Sequence, residues 1–223
     1  MRLEEIKILG INGSQRKDCN SYRLIKAAFE GARKEDKSIT TEILQLADFK
    51  IKPCEAHFSG LHKFKSWGCG KKPYKCILKD DFEKVFQKMI DAHGIIIASP
   101  LYYPVPAKLV ALMERLMAIV YFAKQADKNY VWPLTGKPFG AIAASYEDST
   151  ILVLKILRKF GFIARMYLVR DTQNQVFSVD AKGGVEKNPK SLEEARKLGS
   201  LVARTLIKRK EKAKKVEHKN LNK

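Results

Sequence analysis

The chain has 223 residues, 45% of them hydrophobic, which is enough for one substantial α/β core. Its 43 Lys and Arg against 24 Asp and Glu give a formal net charge of +19, yet much of the excess lies in "HKFKSWGCGKKPYK" (62–75) and "KRKEKAKKVEHKNLNK" (208–223). Clustered Lys and Arg release counterions from a phosphate backbone and so raise a nucleic-acid or acidic-partner binding module as an alternative, but the segments between read as an ordinary core, and that distribution weakens it. No apolar stretch reaches the roughly 20 residues of a membrane span, the longest, "LVALMERLMAIVYFA", being broken by Glu114 and Arg115.

In chain order, "EIKILGI" (5–11) predicts a buried strand, and "NSYRLIKAAFEGARK" (20–34) a helix with Leu24, Ile25, Ala28 and Phe29 on one face. A second strand is expected over 40–48, a helix over 81–92 with Asp80 as its cap, and a third strand in "HGIIIASP" (93–100). Then follow a helix over 107–123, a strand over 137–145, a helix over 148–162, a fifth strand in "IARMYLVR" (163–170) and a last helix over 191–209. Residues 1–207 form the expected domain, with an insertion at about 50–80, and 208–223 read as a basic, disordered tail.

Strands that alternate with helices, and that are continuously apolar, predict a parallel sheet covered on both faces. Five such strands suit the flavodoxin-like, doubly wound order 2-1-3-4-5, whose ligand site lies outside the carboxyl ends of the strands. That rule points to the loops after residues 11, 98 and 144.

The first loop, "NGSQRKDCNS", offers the hydroxyls of Ser14 and Ser21, the amide of Asn20, several backbone N–H groups and the guanidinium of Arg16. At a helix start these favour an anion. The dinucleotide and nucleoside-triphosphate glycine patterns are both missing, which leaves a single terminal phosphate. The plain alternative is a strand-to-helix turn with Asn20 as N-cap. The second loop, "SPLYYPVP", is stiffened by Pro100, Pro104 and Pro106 and projects Tyr102 and Tyr103, which suits a flat ring or, alternatively, an oligomer contact. The third, "ASYEDST", is either a further wall or a solvated turn capped by Asp148.

"GINGSQRKDCNSYRLIKAA" followed by "DAHGIIIASPLYYPVPAKLVALMERL" resembles the NADPH-dependent FMN reductase family, and in particular its iron-sulfur flavoprotein branch. The resemblance spans roughly residues 5–170. It implies a flavodoxin-like fold and FMN, with Ser14, Arg16, Asn20 and Ser21 on the phosphate. Pro100, Leu101, Tyr102 and Tyr103 would line the ring, and Ser145, Tyr146 and Glu147 would form a third wall. Because the flavin itself accepts hydride and passes on one or two electrons, no catalytic acid or base is nominated. NAD(P)H is the implied donor, and a quinone, free flavin, ferric chelate or ferredoxin the acceptor or partner. A homodimer or homotetramer is implied as well.

The absence of a signal peptide before "IKILGI" predicts a reducing, cytoplasmic setting, where cysteines serve metal or cluster ligation rather than disulfides. In iron-sulfur flavoproteins the insertion carries C-x-x-C-x-x-C and, a few residues on, a fourth cysteine. Here Cys54, Cys69 and Cys76 match in part, and Lys72 stands where a further cysteine would follow Cys69. Three readings stay open: an iron-sulfur cluster with a ligand missing, zinc held by some of Cys54, His57, His62, Cys69 and Cys76, or a basic lid or oligomer arm without metal. Cys19, inside the presumed phosphate loop, is set aside as a ligand, and His93, just before a buried strand, is read as structural.

Overall fold

A computed structural model describes residues 5–57 and 68–221. Strands β1 (Lys7–Asn12), β2 (Thr40–Gln45), β3 (Gly94–Pro100), β4 (Pro138–Ser145) and the short β5 (Tyr167–Leu168) form a parallel sheet in the order β2-β1-β3-β4-β5. The doubly wound topology predicted from the continuous apolar runs is therefore present. Helices α1 (Asn20–Glu35) and α5 (Pro189–Leu221) cover one face; α2 (Phe82–Asp91), α3 (Ala107–Ala126) and α4 (Ile151–Ile163) cover the other. The alternate side chains of β3 divide between the two cores, Ile95 and Ile97 on the α3 side and Ile96 and Ala98 on the α1 side, which is why this strand reads as uniformly apolar.

The fifth strand differs from expectation. Ile163 is still the last residue of α4, and pairing is confined to Tyr167 and Leu168. The chain then makes a turn in which the Asp171 carboxylate accepts the N–H groups of Gln173 and Gln175, with Asn174 in the left-handed region at φ 61. Asn and Asp tolerate this chemistry well. The chain returns as a sixth strand, β6 (Val179–Lys182), which pairs with the far end of β4. The edge is thus shared by two short segments, and the second carries the chain back to the ligand end of the sheet.

The last helix also differs: α5 continues to Leu221, where the sequence placed its end near Arg209 and a disordered tail beyond. No Gly or Pro interrupts 200–221, and Lys, Glu and Ala, which dominate there, are strong helix formers. Arg209 fixes the point of departure from the body, donating to the Gly136 carbonyl and lying 4.7 Å over the Tyr167 ring.

Helices α1 and α5 meet through two glycines. A Cβ on Gly199 would lie 1.7 Å from the Ala28 carbonyl oxygen, and one on Gly31 1.9 Å from that of Arg196. Both obstacles are backbone, so the helices must part. Gly199→Ala is expected to cost about 1–3 kcal/mol, as overpacking does; a thermal midpoint equal to that of the parent would show that the contact yields.

Candidate functional site

The carboxyl ends of β1, β3 and β4 open into a cleft of about 540 Å³, within the range of small-molecule and cofactor sites. One wall is the β1–α1 loop, residues 14–23. Asn12, fully buried at the end of β1, shapes it: its Oδ1 accepts the Ser14 N–H at 3.1 Å, and its Nδ2 donates to Gln45 Oε1 at 2.6 Å. Gln45, at the end of β2, donates in turn to the Ser14 carbonyl at 2.7 Å. Two strand-end amides therefore hold the loop open against the sheet, and neither was singled out from the sequence.

Within the loop, the Ser14 hydroxyl accepts the Arg16 N–H at 3.1 Å and also hydrogen-bonds Cys19. The Ser21 hydroxyl, buried in the first turn of α1, has no hydrogen-bond partner among the described residues. Of the three cations here, Lys17 pairs with Asp48 and Arg23 with Glu186, whereas the exposed Arg16 has no carboxylate partner among the described residues. An orphan hydroxyl, an unpaired guanidinium and the free N–H end of a 16-residue helix fit a phosphate.

Cys19 lies at the same place. Burial pushes its thiol up, but hydrogen bonds from Ser14, the Tyr22 and Ser21 backbone and Asn12 outweigh burial and hold it below the usual thiol value.

Asn20 is placed at the cleft but is engaged elsewhere. Its Nδ2 donates to the Gly183 carbonyl at 3.2 Å, and its Oδ1 accepts the Val185 N–H at 3.5 Å. It thus ties the helix start to the loop after β6, whose Gly184, Val185 and Glu186 also line the cleft. That wall escaped the sequence reading because the strand leading into it was not foreseen.

Pro100, Leu101 and Tyr102 line the second side, where the Leu101 N–H bonds to the Ala144 carbonyl at 2.8 Å. Ser145 and Tyr146 line the third. Tyr103 faces away, fully exposed, into a neighbouring cavity of about 620 Å³ with Gln15, Val110 and Glu114. Glu147 lines neither cavity.

The cysteine insertion is tied down against α3. Asp81 accepts the Lys50 N–H, and Asp80 accepts the N–H groups of Lys52 and Phe82 at 2.8 and 3.0 Å, which closes the two ends of the insertion on each other. Arg115 of α3, with 1% of its side chain exposed, pairs with Asp80 and donates to Cys76 Sγ at 3.3 Å. Cys54, Cys69 and Cys76 line one small pocket with Glu55 and His57. Burial and the neighbouring thiols push Cys69 up to about 11. Among the described residues, no three His, Cys, Asp or Glu side chains stand close enough to share one metal ion. His62 lies outside the described residues.

Comparison with known proteins shows the family and the fold. The family model for NADPH-dependent FMN reductase matches residues 6–178. An iron-sulfur flavoprotein of Methanocaldococcus jannaschii is 30% identical over 208 residues, which cover 89% of this chain and 96% of that protein. The crystal structure of RosB with a bound flavin-phosphate intermediate superposes with a TM-score of 0.62 at 16% identity, covering 96% of this chain and 87% of that one. A flavodoxin, WrbA-like protein from Agrobacterium tumefaciens gives 0.54 at 13% identity, over 92% and 99% of the two chains. With the family match running from the first strand through both major cleft loops and ending just before β6, the chain belongs to the NADPH-dependent FMN reductase family and is a flavodoxin-like, FMN-dependent oxidoreductase.

Proposed function

We propose that the cleft holds FMN with its phosphate on the β1–α1 loop, and that the protein passes reducing equivalents from NAD(P)H to a small-molecule acceptor such as a quinone, a free flavin or a ferric chelate. The observation that carries this reading is the pairing of an unpartnered buried hydroxyl, Ser21, with the unpaired guanidinium of Arg16 at one helix start. When bound, the flavin supplies the hydride and electron chemistry. Ser14, Arg16 and Ser21 hold the phosphate, while Asn20 holds the 183–185 loop against it. Pro100, Leu101 and Tyr102 give the ring a stiff edge, with Ser145 and Tyr146 opposite; Tyr103 and Glu147 are left outside the cradle.

The test is to load the protein with FMN without oxygen, add NADPH or NADH, and follow the flavin absorbance. Bleaching, with recovery on adding a quinone, is expected; failure of both nicotinamides to bleach the flavin would remove the donor assignment. Ser21→Ala gives a second check. It removes a buried group that is unsatisfied without ligand, so the apoprotein should melt no lower than the parent, while FMN affinity falls by about 0.5–1.5 kcal/mol. A lower apoprotein midpoint with unchanged FMN affinity would assign Ser21 to folding instead.

The convergence of three thiols on one pocket supports a second reading. In it the insertion carries an iron-sulfur cluster and the protein exchanges electrons with ferredoxin, consistent with the name of the Methanocaldococcus relative. A cytoplasmic location fits the free state of Cys19, Cys54, Cys69 and Cys76. The apolar groove between α3 and α4, beside the exposed Tyr121 and Ile163, favours a homodimer or homotetramer. Among the described residues no helix is long and apolar enough to cross a membrane.

A further inference from the structure

The end of α5 carries a concentration of charge that neither the sheet nor the cleft uses. From Lys208 to Leu221 the helix holds seven Lys and Arg against two Glu. At about 100° per residue, Lys208, Lys212 and Lys215 fall within an arc of about 60°, and the sequence continues the period at Lys219, so the row runs about 16 Å along one face. We propose that this row is a nucleic-acid contact, which holds the protein on the phosphate backbone without reading its sequence.

The row points away from the body. Arg209, which donates to the Gly136 carbonyl and covers the Tyr167 ring, and Lys210, whose charge acts on Asp36, mark the two flanks by which the helix meets the body. The lysine row lies on roughly the opposite side of the helix. Lys208, Lys212 and Lys215 are exposed and make no ion pair among the described residues, and Glu211, the one acid within 208–216, stands beside the row. Nearer the start of α5 the cations are already engaged: Arg196 pairs with Glu30, Arg204 pairs with Glu35, and Lys197 sits 4.7 Å over the Phe177 ring. Unengaged charge thus collects where the helix leaves the body.

The chemistry of the row selects the partner. Duplex nucleic acid carries one negative charge per about 1.7 Å of its axis, and lysines that neutralise phosphates gain by releasing counterions. Lysine is a hydrated point charge on a flexible stem, suited to phosphates met without fixed geometry. A helix that lies on a membrane needs a broad apolar face, whereas 208–216 offers only Ala213 and Val216. A protein partner is anchored chiefly by Trp, Tyr and Arg, and the row has none of them. The contact also leaves the cleft open. Gly136 and Tyr167 lie at the amino-terminal edge of the parallel sheet, opposite the carboxyl ends where the cleft is built.

The test titrates the full chain, loaded with FMN, into a fluorescently labelled DNA duplex of about 20 base pairs and reads the anisotropy at several salt concentrations. With four lysines engaged, log K should fall against log salt with a slope of about −3.6, a loss of roughly 150-fold between about 50 and 200 mM. A duplex of unrelated sequence should give the same slope. The triple variant Lys208→Gln, Lys212→Gln, Lys215→Gln should reduce the slope to about −1. Its FMN content and melting temperature should not change, because the three side chains are exposed and Gln is a strong helix former. Arginine at the same three positions should keep the slope, as should Lys71→Gln with Lys72→Gln, two exposed lysines of the insertion. No binding of the duplex by the parent at about 50 mM salt, or an unchanged slope in the triple variant, would overturn the proposal. So would capture by phosphatidylcholine vesicles containing about one-third phosphatidylserine while the duplex stays free, since a lipid surface would then be the occupant.

Discussion

Replacing Arg115 with methionine is expected to lower the folding free energy by about 3–5 kcal/mol, the loss seen when one partner of a buried ion pair is removed. The Arg115 and Asp80 side chains are 1% and 3% exposed, so Asp80 would remain charged, buried and without its guanidinium. The same guanidinium donates to the Lys52 carbonyl at 3.3 Å and lies 4.1 Å over the Phe82 ring, so both ends of the insertion lose an anchor together. Urea titration should show a lower midpoint at an unchanged slope.

The effect has a definite pH dependence. Burial pushes the Asp80 carboxyl up, but Arg115 and the Lys52 and Phe82 N–H groups outweigh it and hold the group below its usual value. In the parent this contribution is fully present above the unfolded value of about 3.9 and is lost as pH falls through the lower folded value. In Arg115→Met only the Lys52 and Phe82 N–H groups are left to offset burial, so the carboxyl takes up its proton at a higher pH than in the parent and protonation relieves the variant first. The gap between parent and variant should therefore narrow below about pH 4. A gap that is small at neutral pH, or constant down to pH 3, would contradict the buried-pair account.

The second large effect concerns ligand binding rather than folding. Arg16→Ala is expected to weaken FMN by about 1.5–3 kcal/mol, roughly ten- to a hundredfold in affinity, because one charge-assisted contact to the phosphate is lost. Arg16 is exposed, and Lys17 and Arg23 are already paired with Asp48 and Glu186, so neither neighbour is free to substitute for it. Its removal leaves no buried group unsatisfied, and the melting temperature of the apoprotein should not move. Equal losses in folding and binding would show that the side chain braces the loop rather than the ligand.

What could be read from the sequence follows from how local each signal is. The order of strands was legible because β1, β3 and β4 are buried on both faces and so carry unbroken apolar runs. The first cleft loop was legible because Ser14, Arg16 and Ser21 lie within eight consecutive residues and all three line the cleft. The far wall of the cleft was not, since Gly184 and Glu186 reach it through a strand of four residues that follows an Asx-type turn. The bonds of Asn20 to the 183–185 loop were not legible either, since Gly183 lies 163 positions away. Arg115 shows the same limit from the other direction. In sequence it only breaks an apolar stretch, whereas Asp80, 35 positions earlier, allows it to be buried. A pairing between distant residues leaves no trace in local periodicity.

The central claim is that the β1–α1 loop is a cradle for the phosphate of FMN. Titration of the apoprotein with FMN and with riboflavin, read by quenching of flavin fluorescence, tests it most directly. One FMN should bind per chain, and riboflavin, which lacks only the phosphate, should bind at least about tenfold more weakly, with Arg16→Ala removing most of that difference. Equal affinity for the two flavins in the parent protein would contradict the account.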